Sequence, residues 1–128
     1  MADQETGSAD RTVLVVSDDP LVRDDARYGF PVGIAVSFAV DSRDAARLLE
    51  EERPSVVVVD MQTGNAGGYS LARHMAESAQ LDSVPILILL ERDQDRWLAR
   101  KAGASAYRTK PLRPGELARQ TLALIDPG

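Results

Sequence analysis

Four consecutive valines followed at once by a carboxylate, Ser55-Val-Val-Val-Val-Asp60, constrain this fold more than any other stretch of the chain. A short, wholly apolar, β-branched run between polar residues reads as a strand covered on both faces. Such strands belong to parallel sheets packed between helices. In an open parallel sheet, ligands bind beyond the carboxyl ends of the strands. Asp60 stands at such an end, where its carboxylate either faces a site or caps the following helix.

The rest of the chain supplies the partners of that strand. Thr12-Val-Leu-Val-Val16 is a second buried run, closed by Ser17-Asp18-Asp19-Pro20. Proline is favourable at the first helical position, so a short helix is expected from Pro20 toward Tyr28. Residues 34–40 are less purely apolar and read as a strand nearer an edge. Asp41 and Ser42 offer a helix cap, and Ala45, Ala46, Leu48 and Leu49 recur at helical spacing until Pro54. After Asp60 comes a glycine-rich loop over residues 61–68, then a helix over 69–79 with Leu71, Ala72 and Met75 inward and His74 outward. A fourth strand is expected over 84–90 and a helix over 93–102 ended by Gly103. A short fifth strand over 104–109 and a last helix over 114–125 complete the pattern. Strand and helix alternate five times with short connections, which predicts one doubly wound α/β domain with a five-stranded parallel sheet. Residues 1–10 are small, polar and acidic and are expected to form a disordered tail, leaving residues 11–128 as the domain.

Composition excludes several chemistries. The chain has no cysteine and a single histidine, His74, so thiolate and multi-histidine metal sites and cysteine nucleophiles are ruled out. No apolar run has membrane-spanning length and no basic-then-apolar leader opens the chain, so a soluble, cytoplasmic protein with no membrane contact is expected. The net charge of −5 argues against DNA as a partner. The charge is uneven: residues 1–90 carry seven basic and fifteen acidic residues, and residues 91–128 carry eight and five. The basic last third is either a partner surface or a set of solvated helix faces.

Three strand ends carry distinctive residues: Asp18 and Asp19, then Asp60, then Lys110. A doubly wound sheet brings these ends to one rim. Carboxylates gathered there repel one another unless a cation sits among them, and a hard, oxygen-seeking ion such as Mg²⁺ fits. An aspartate beside such an ion can attack phosphorus, and a lysine can neutralise the transferring oxygens.

In that order and spacing, Asp18-Asp19, Asp60, Gly68, Gly103-Ala104, Tyr107 and Lys110-Pro111 resemble the receiver domain of a two-component response regulator. The resemblance covers roughly Thr12 to Ile125. It implies a flavodoxin-like (βα)5 fold with strand order 2-1-3-4-5. It further implies Asp60 as phospho-acceptor, Lys110 as partner of the phosphoryl group, and Mg²⁺ held by Asp18, Asp19, Asp60 and the main-chain carbonyl of Gln62. Tyr107 matches the aromatic that turns inward on activation in this family. The implied partners are a histidine kinase or phosphotransfer protein and an output protein that meets the face of helix four, strand five and helix five.

The chain also departs from the family. Leu90 stands where a serine or threonine usually bonds the phosphoryl group, and Glu91 follows where a small residue is usual. Gly64 replaces a common proline, so its loop is expected to be loose, and Gln62 and Arg92 occupy places that tune dephosphorylation. Two readings follow. One is a stand-alone phosphoryl-accepting switch that works by protein contact, with no enzymatic activity beyond its own phosphorylation chemistry. The other is an atypical receiver serving as a phosphorylation-independent interaction module. An aspartate-nucleophile phosphatase is disfavoured, because Gln62 stands where its second aspartate belongs.

Overall fold

The computed structural model describes residues 11–62 and 66–125. The expected tail over residues 1–10 and the expected looseness at Gly64 fall outside them. In chain order the elements are β1 (Arg11–Val16), α1 (Pro20–Gly29), β2 (Ile34–Ala39), α2 (Ser42–Glu51), β3 (Val56–Met61) and α3 (Gly67–Glu77). They continue with β4 (Ile86–Leu90), a 3-10 turn (Asp93–Asp95), α4 (Arg96–Ala102), β5 (Ala106–Thr109) and α5 (Glu116–Ile125). Every pairing is parallel, and the sheet runs β2-β1-β3-β4-β5. This is the doubly wound order expected of the sequence.

The valine run occupies the middle of the sheet because both of its faces are apolar. All of β3 is buried. Successive side chains point to opposite faces of a strand. Val56 and Val58 join Val13, Val15, Leu87 and Leu89 under α1 and α5, where Val22, Ala26 and Leu117 meet them. Val57, Val59 and Met61 join Leu14, Val16, Ile86, Ile88 and Leu90 under α2, α3 and α4, where Leu49, Leu71, Met75 and Ala99 pack. β2, less apolar in sequence, lies at one edge with alternate residues exposed.

Local signals set the helix ends. Pro20 opens α1, and the Asp19 carboxylate accepts the Leu21 amide at 3.0 Å as its cap. Asp41 does the same for α2 through the Asp44 amide at 2.8 Å. Gly103 ends α4 at φ +93°, a left-handed conformation that other residues reach only with strain.

Some boundaries differ from the sequence expectation. Met61 completes β3, and Gly67 and Gly68 belong to the first turn of α3, not to the loop. Close packing is the reason: a Cβ on Gly68 would stand 3.1 Å from Val59 Cγ1 and 3.5 Å from the Met61 Cα, so glycine lets the helix descend onto β3. The helix expected over residues 93–102 is divided, its first turn being 3-10 and braced by ion pairs from Arg92 to Asp95 and from Arg96 to Asp93. β4 and β5 each start two residues later than expected, as does α5. Among the described residues no helix is long and apolar enough to cross a membrane.

Candidate functional site

The parallel register of β1 and β3 pairs Val16 with Val59, so Ser17 and Asp60 emerge side by side at the strand ends. The Ser17 hydroxyl donates to Asp60 Oδ2 at 2.7 Å, and both residues are buried, at 4% and 9% exposure. Ser17 is pinned at both ends: its amide donates to the Ala39 carbonyl at 2.9 Å, and its Oγ accepts the Asp19 amide at 3.0 Å. Asp60 does not cap the following helix. The residue before α3 is Ala66, which makes no side-chain cap.

Lys110 reaches the same carboxylate from beyond β5. Its amide donates to the Leu90 carbonyl at 2.7 Å, which anchors the residue to the end of β4. Its ammonium lies 3.1 Å from Asp60 Oδ2 and 2.9 Å from Oδ1, and 3.1 Å from Asp19 Oδ2. Only the Oδ2 contact has hydrogen-bond geometry. Asp60 Oδ1 is therefore a buried oxygen that accepts no hydrogen bond among the described residues. The following Lys110–Pro111 peptide bond is cis.

The charges respond to one another. Burial opposes ionisation of Asp19, but the bonds from the Lys110 ammonium and the Leu21 amide outweigh it and hold its pKa below the usual carboxylate value. Burial likewise opposes the charge on Lys110, and the Asp60 and Asp19 carboxylates outweigh it and raise its pKa.

A cavity of about 90 Å³ opens beside Asp60, lined by Ser17, Asp18, Asp41, Ser42, Gln62 and Gly68 among others. Asp18 is exposed at its mouth, and its Oδ1 accepts the Gln62 side-chain amide at 2.6 Å. Of the residues expected around a cation, Asp18, Asp60 and Gln62 thus share one cavity. Asp19 lines a separate groove of about 530 Å³ with Leu21, Glu91, Lys110, Pro111 and Leu112. The reason is its double engagement, one oxygen capping α1 and the other on Lys110. No three carboxylate or imidazole side chains among the described residues are grouped tightly enough to enclose a metal ion by themselves. A small polar cavity lined by three aspartates, Asp18, Asp41 and Asp60, nevertheless suits a hard cation that keeps part of its water shell.

The opposite flank of Asp60 is apolar. Leu90 pairs with Met61 across β3 and β4 and with Thr109 across β4 and β5. It is buried in the core under α3 and α4, and Tyr107 packs half-buried against that same core. Glu91 and Arg92 are exposed, as is His74 on α3.

On α4, Trp97 is 56% exposed, so this lone tryptophan is a surface residue. Arg96, Arg100, Lys101 and Arg119 are exposed as well. Arg96 is paired with Asp93, and Arg108 lies 3.8 Å from Glu116. Ser17, which touches Asp60, was not singled out by the sequence. Its only signal was its place immediately before two aspartates.

Comparison with known proteins agrees with this geometry. A family model described as response regulator receiver domain matches residues 13–121. An uncharacterized 14.6 kDa protein of Leptolyngbya boryana is 34% identical over 114 residues, covering 87% of each chain. The response regulator MprA of Mycolicibacterium vanbaalenii is 34% identical over 116 residues, covering 88% of this chain and 49% of its own. The chain thus spans about half the length of the MprA relatives it matches. The chemotaxis response regulator CheY4 of Vibrio cholerae superposes with a TM-score of 0.80 at 22% identity, over 89% of this chain and 98% of its own. The receiver domain of the sensor histidine kinase PA1611 of Pseudomonas aeruginosa superposes at 0.75 with 26% identity, over 90% and 97% of the chains, and holds a magnesium ion in its active-site cleft. With its sheet order, its buried aspartate at the end of β3 and the family match across most of its length, this chain belongs to the response regulator receiver domain family.

Proposed function

We propose that the protein is a phosphoryl-accepting signalling switch in which Asp60 is the acceptor, a histidine kinase or phosphotransfer protein is the donor, and the output is contact with another protein. The observation that carries this reading is the state of Asp60. One carboxylate oxygen is buried without a hydrogen bond, and a lysine ammonium lies 2.9 Å away. A buried carboxylate held this way is poised as a nucleophile rather than as a structural cap.

Phosphoryl transfer asks mainly for alignment and for neutralisation of charge on the equatorial oxygens. Asp60 supplies the attacking oxygen. Lys110 is a point charge already beside this carboxylate, within 3.1 Å of both oxygens, and it meets the transferred group without moving far. In this reading Asp18, Asp60 and the main-chain carbonyl of Gln62 hold Mg²⁺. The ion, when bound, neutralises the oxygens of the transferring group. Asp19 serves instead to hold Lys110 and to cap α1. The output surface is the α4-β5-α5 face, where Trp97, Arg100 and Arg119 are exposed and suit an acidic protein partner. A cytoplasmic location is part of the proposal, since kinase donors act there.

One observation favours the second reading, a phosphorylation-independent interaction module. Leu90 is sealed in the core beside Tyr107, with no hydroxyl to follow a phosphoryl group. A single experiment separates the two. Thermal melts and backbone NMR spectra are recorded with Mg²⁺ and beryllofluoride, for the native chain and for Asp60→Ala. A ligand at 100 times its dissociation constant stabilises the folded state by about 2.7 kcal/mol. The switch reading expects stabilisation in the native chain alone, with shifts reaching α4 and β5. Binding with shifts confined to the rim selects the module. No binding removes the phosphorylation reading.

A further inference from the structure

We propose that the Ser17 hydroxyl is a positioning residue for phosphoryl acceptance: it holds Asp60 Oδ2 and leaves Oδ1 as the attacking atom. The inference rests on the reading of Asp60 as phosphoryl acceptor and deepens it.

A carboxylate has two equivalent oxygens, and something must break that symmetry if one is to be aimed. Lys110 does so poorly, because its ammonium lies within 3.1 Å of both. Ser17 bonds Oδ2 alone, at 2.7 Å. The direction of that bond is set by the backbone. The Asp19 amide donates into Ser17 Oγ at 3.0 Å, so a lone pair is occupied and the single hydroxyl proton is directed at Asp60. The hydroxyl cannot wander, because the Ser17 amide is tied to Ala39 and the residue is almost fully buried. Oδ2 therefore takes two hydrogen bonds and Oδ1 takes none. Oδ1, 2.9 Å from the Lys110 ammonium but outside hydrogen-bond geometry, keeps a lone pair for attack.

The chemical step balances without a further reactant. With an acyl phosphate donor, the bond from Asp60 Oδ1 to phosphorus forms while the donor's P–O bond breaks. The carboxylate leaving group departs with the electron pair.

The test is the initial rate of Asp60 phosphorylation by acetyl phosphate in Mg²⁺, followed by intact-protein mass spectrometry, for the native chain, Ser17→Ala and Ser17→Thr. Circular dichroism and melting curves accompany each. Ser17→Ala is expected to slow the reaction at least about tenfold, the loss of one hydrogen bond to a charged group. Ser17→Thr keeps the hydroxyl and is expected to recover most of the rate. A merely structural role would not be rescued by the hydroxyl in this way. If Ser17→Ala fails to fold, Ser17→Cys, nearly isosteric with a weak donor, takes its place with the same slow rate expected. Ser17→Ala reacting as fast as the native chain overturns the inference and leaves the acceptor reading standing. So does a natively folded Ser17→Thr as slow as Ser17→Ala. A native chain that gains no phosphoryl group, or gains it equally in Asp60→Ala, overturns the acceptor reading and this inference with it.

Discussion

The two flanks of the carboxyl end of β3 are built of opposite materials. Toward β1 and the loop after β5, Asp60 meets Ser17, Lys110 and, through the lysine, Asp19. Toward α3 and α4, its neighbours Met61 and Leu90 are sealed in an apolar core against which Tyr107 packs. The polar flank is a linked unit, in which each group fixes the position or charge of the next. The apolar flank is held mainly by packing, and its link to the site is main-chain: the Lys110 amide donates to the Leu90 carbonyl. The polar contacts of Asp60 and the packing around Leu90 and Tyr107 thus occupy separate parts of one small rim.

The sharpest way to break this comparison is Lys110→Met. It leaves the Asp60 and Asp19 carboxylates without their cation. Removing one partner of a fully buried ion pair costs about 3–5 kcal/mol, and Lys110 is only partly buried, so about 2–3 kcal/mol is expected here. Urea denaturation in EDTA would read the loss, and Mg²⁺ should restore more stability to this variant than to the native chain. Unchanged stability would mean that the polar flank is not a unit.

A smaller effect is expected from the other side. Leu90→Thr places a hydroxyl among Met61, Ile88 and the α3 side chains, where it gains no ready partner. The expected cost is about 1–2 kcal/mol. If the flanks are separable, phosphorylation of Asp60 by acetyl phosphate stays within a few-fold of native. A tenfold change would show that the apolar flank reaches into the chemistry.

The smallest effect concerns pH. The pKa of Asp19 is lower in the fold than in the unfolded chain, so its contribution is present above the unfolded value, about 3.9, and is lost as pH falls through the folded one. The pKa of Lys110 is raised, so its contribution is complete below about 10.4 and is lost as pH rises through the folded value. Neither group changes stability between roughly pH 5 and 9. Asp19→Asn should keep the cap, cost under about 1 kcal/mol at neutral pH and reduce the acid slope. Melts in EDTA from pH 3 to 7 would show it, and an unaltered slope would place the acid sensitivity elsewhere.

Much of this architecture is legible in the amino-acid sequence. Unbroken β-branched runs mark central strands because nothing else buries both faces, and β3 and β1 lie side by side in the middle of the sheet. The cap at Asp41 is local chemistry between a carboxylate and an amide three residues on, so it too is visible in the chain, whereas Asp19, expected as a cation ligand, caps α1. Asp60 and Lys110 were identifiable from their places at strand ends, and the structure brings them within 2.9 Å. Whether Trp97 anchors a surface or fills the core stays open in the sequence, because a helix of seven residues gives too few positions for periodicity to tell its inner side from its outer.

What the sequence determined by itself is therefore everything governed by neighbours along the chain: alternation, caps, stops, and which strand ends carry charge. Tertiary structure decided which of three consecutive residues, Ser17, Asp18 or Asp19, touches Asp60. The contact spans 43 positions and depends on the register of β1 against β3, and a slip of one residue would turn each side chain to the other face. That register puts the serine on the carboxylate, leaves Asp18 at the mouth of the cavity, and sends Asp19 to Lys110.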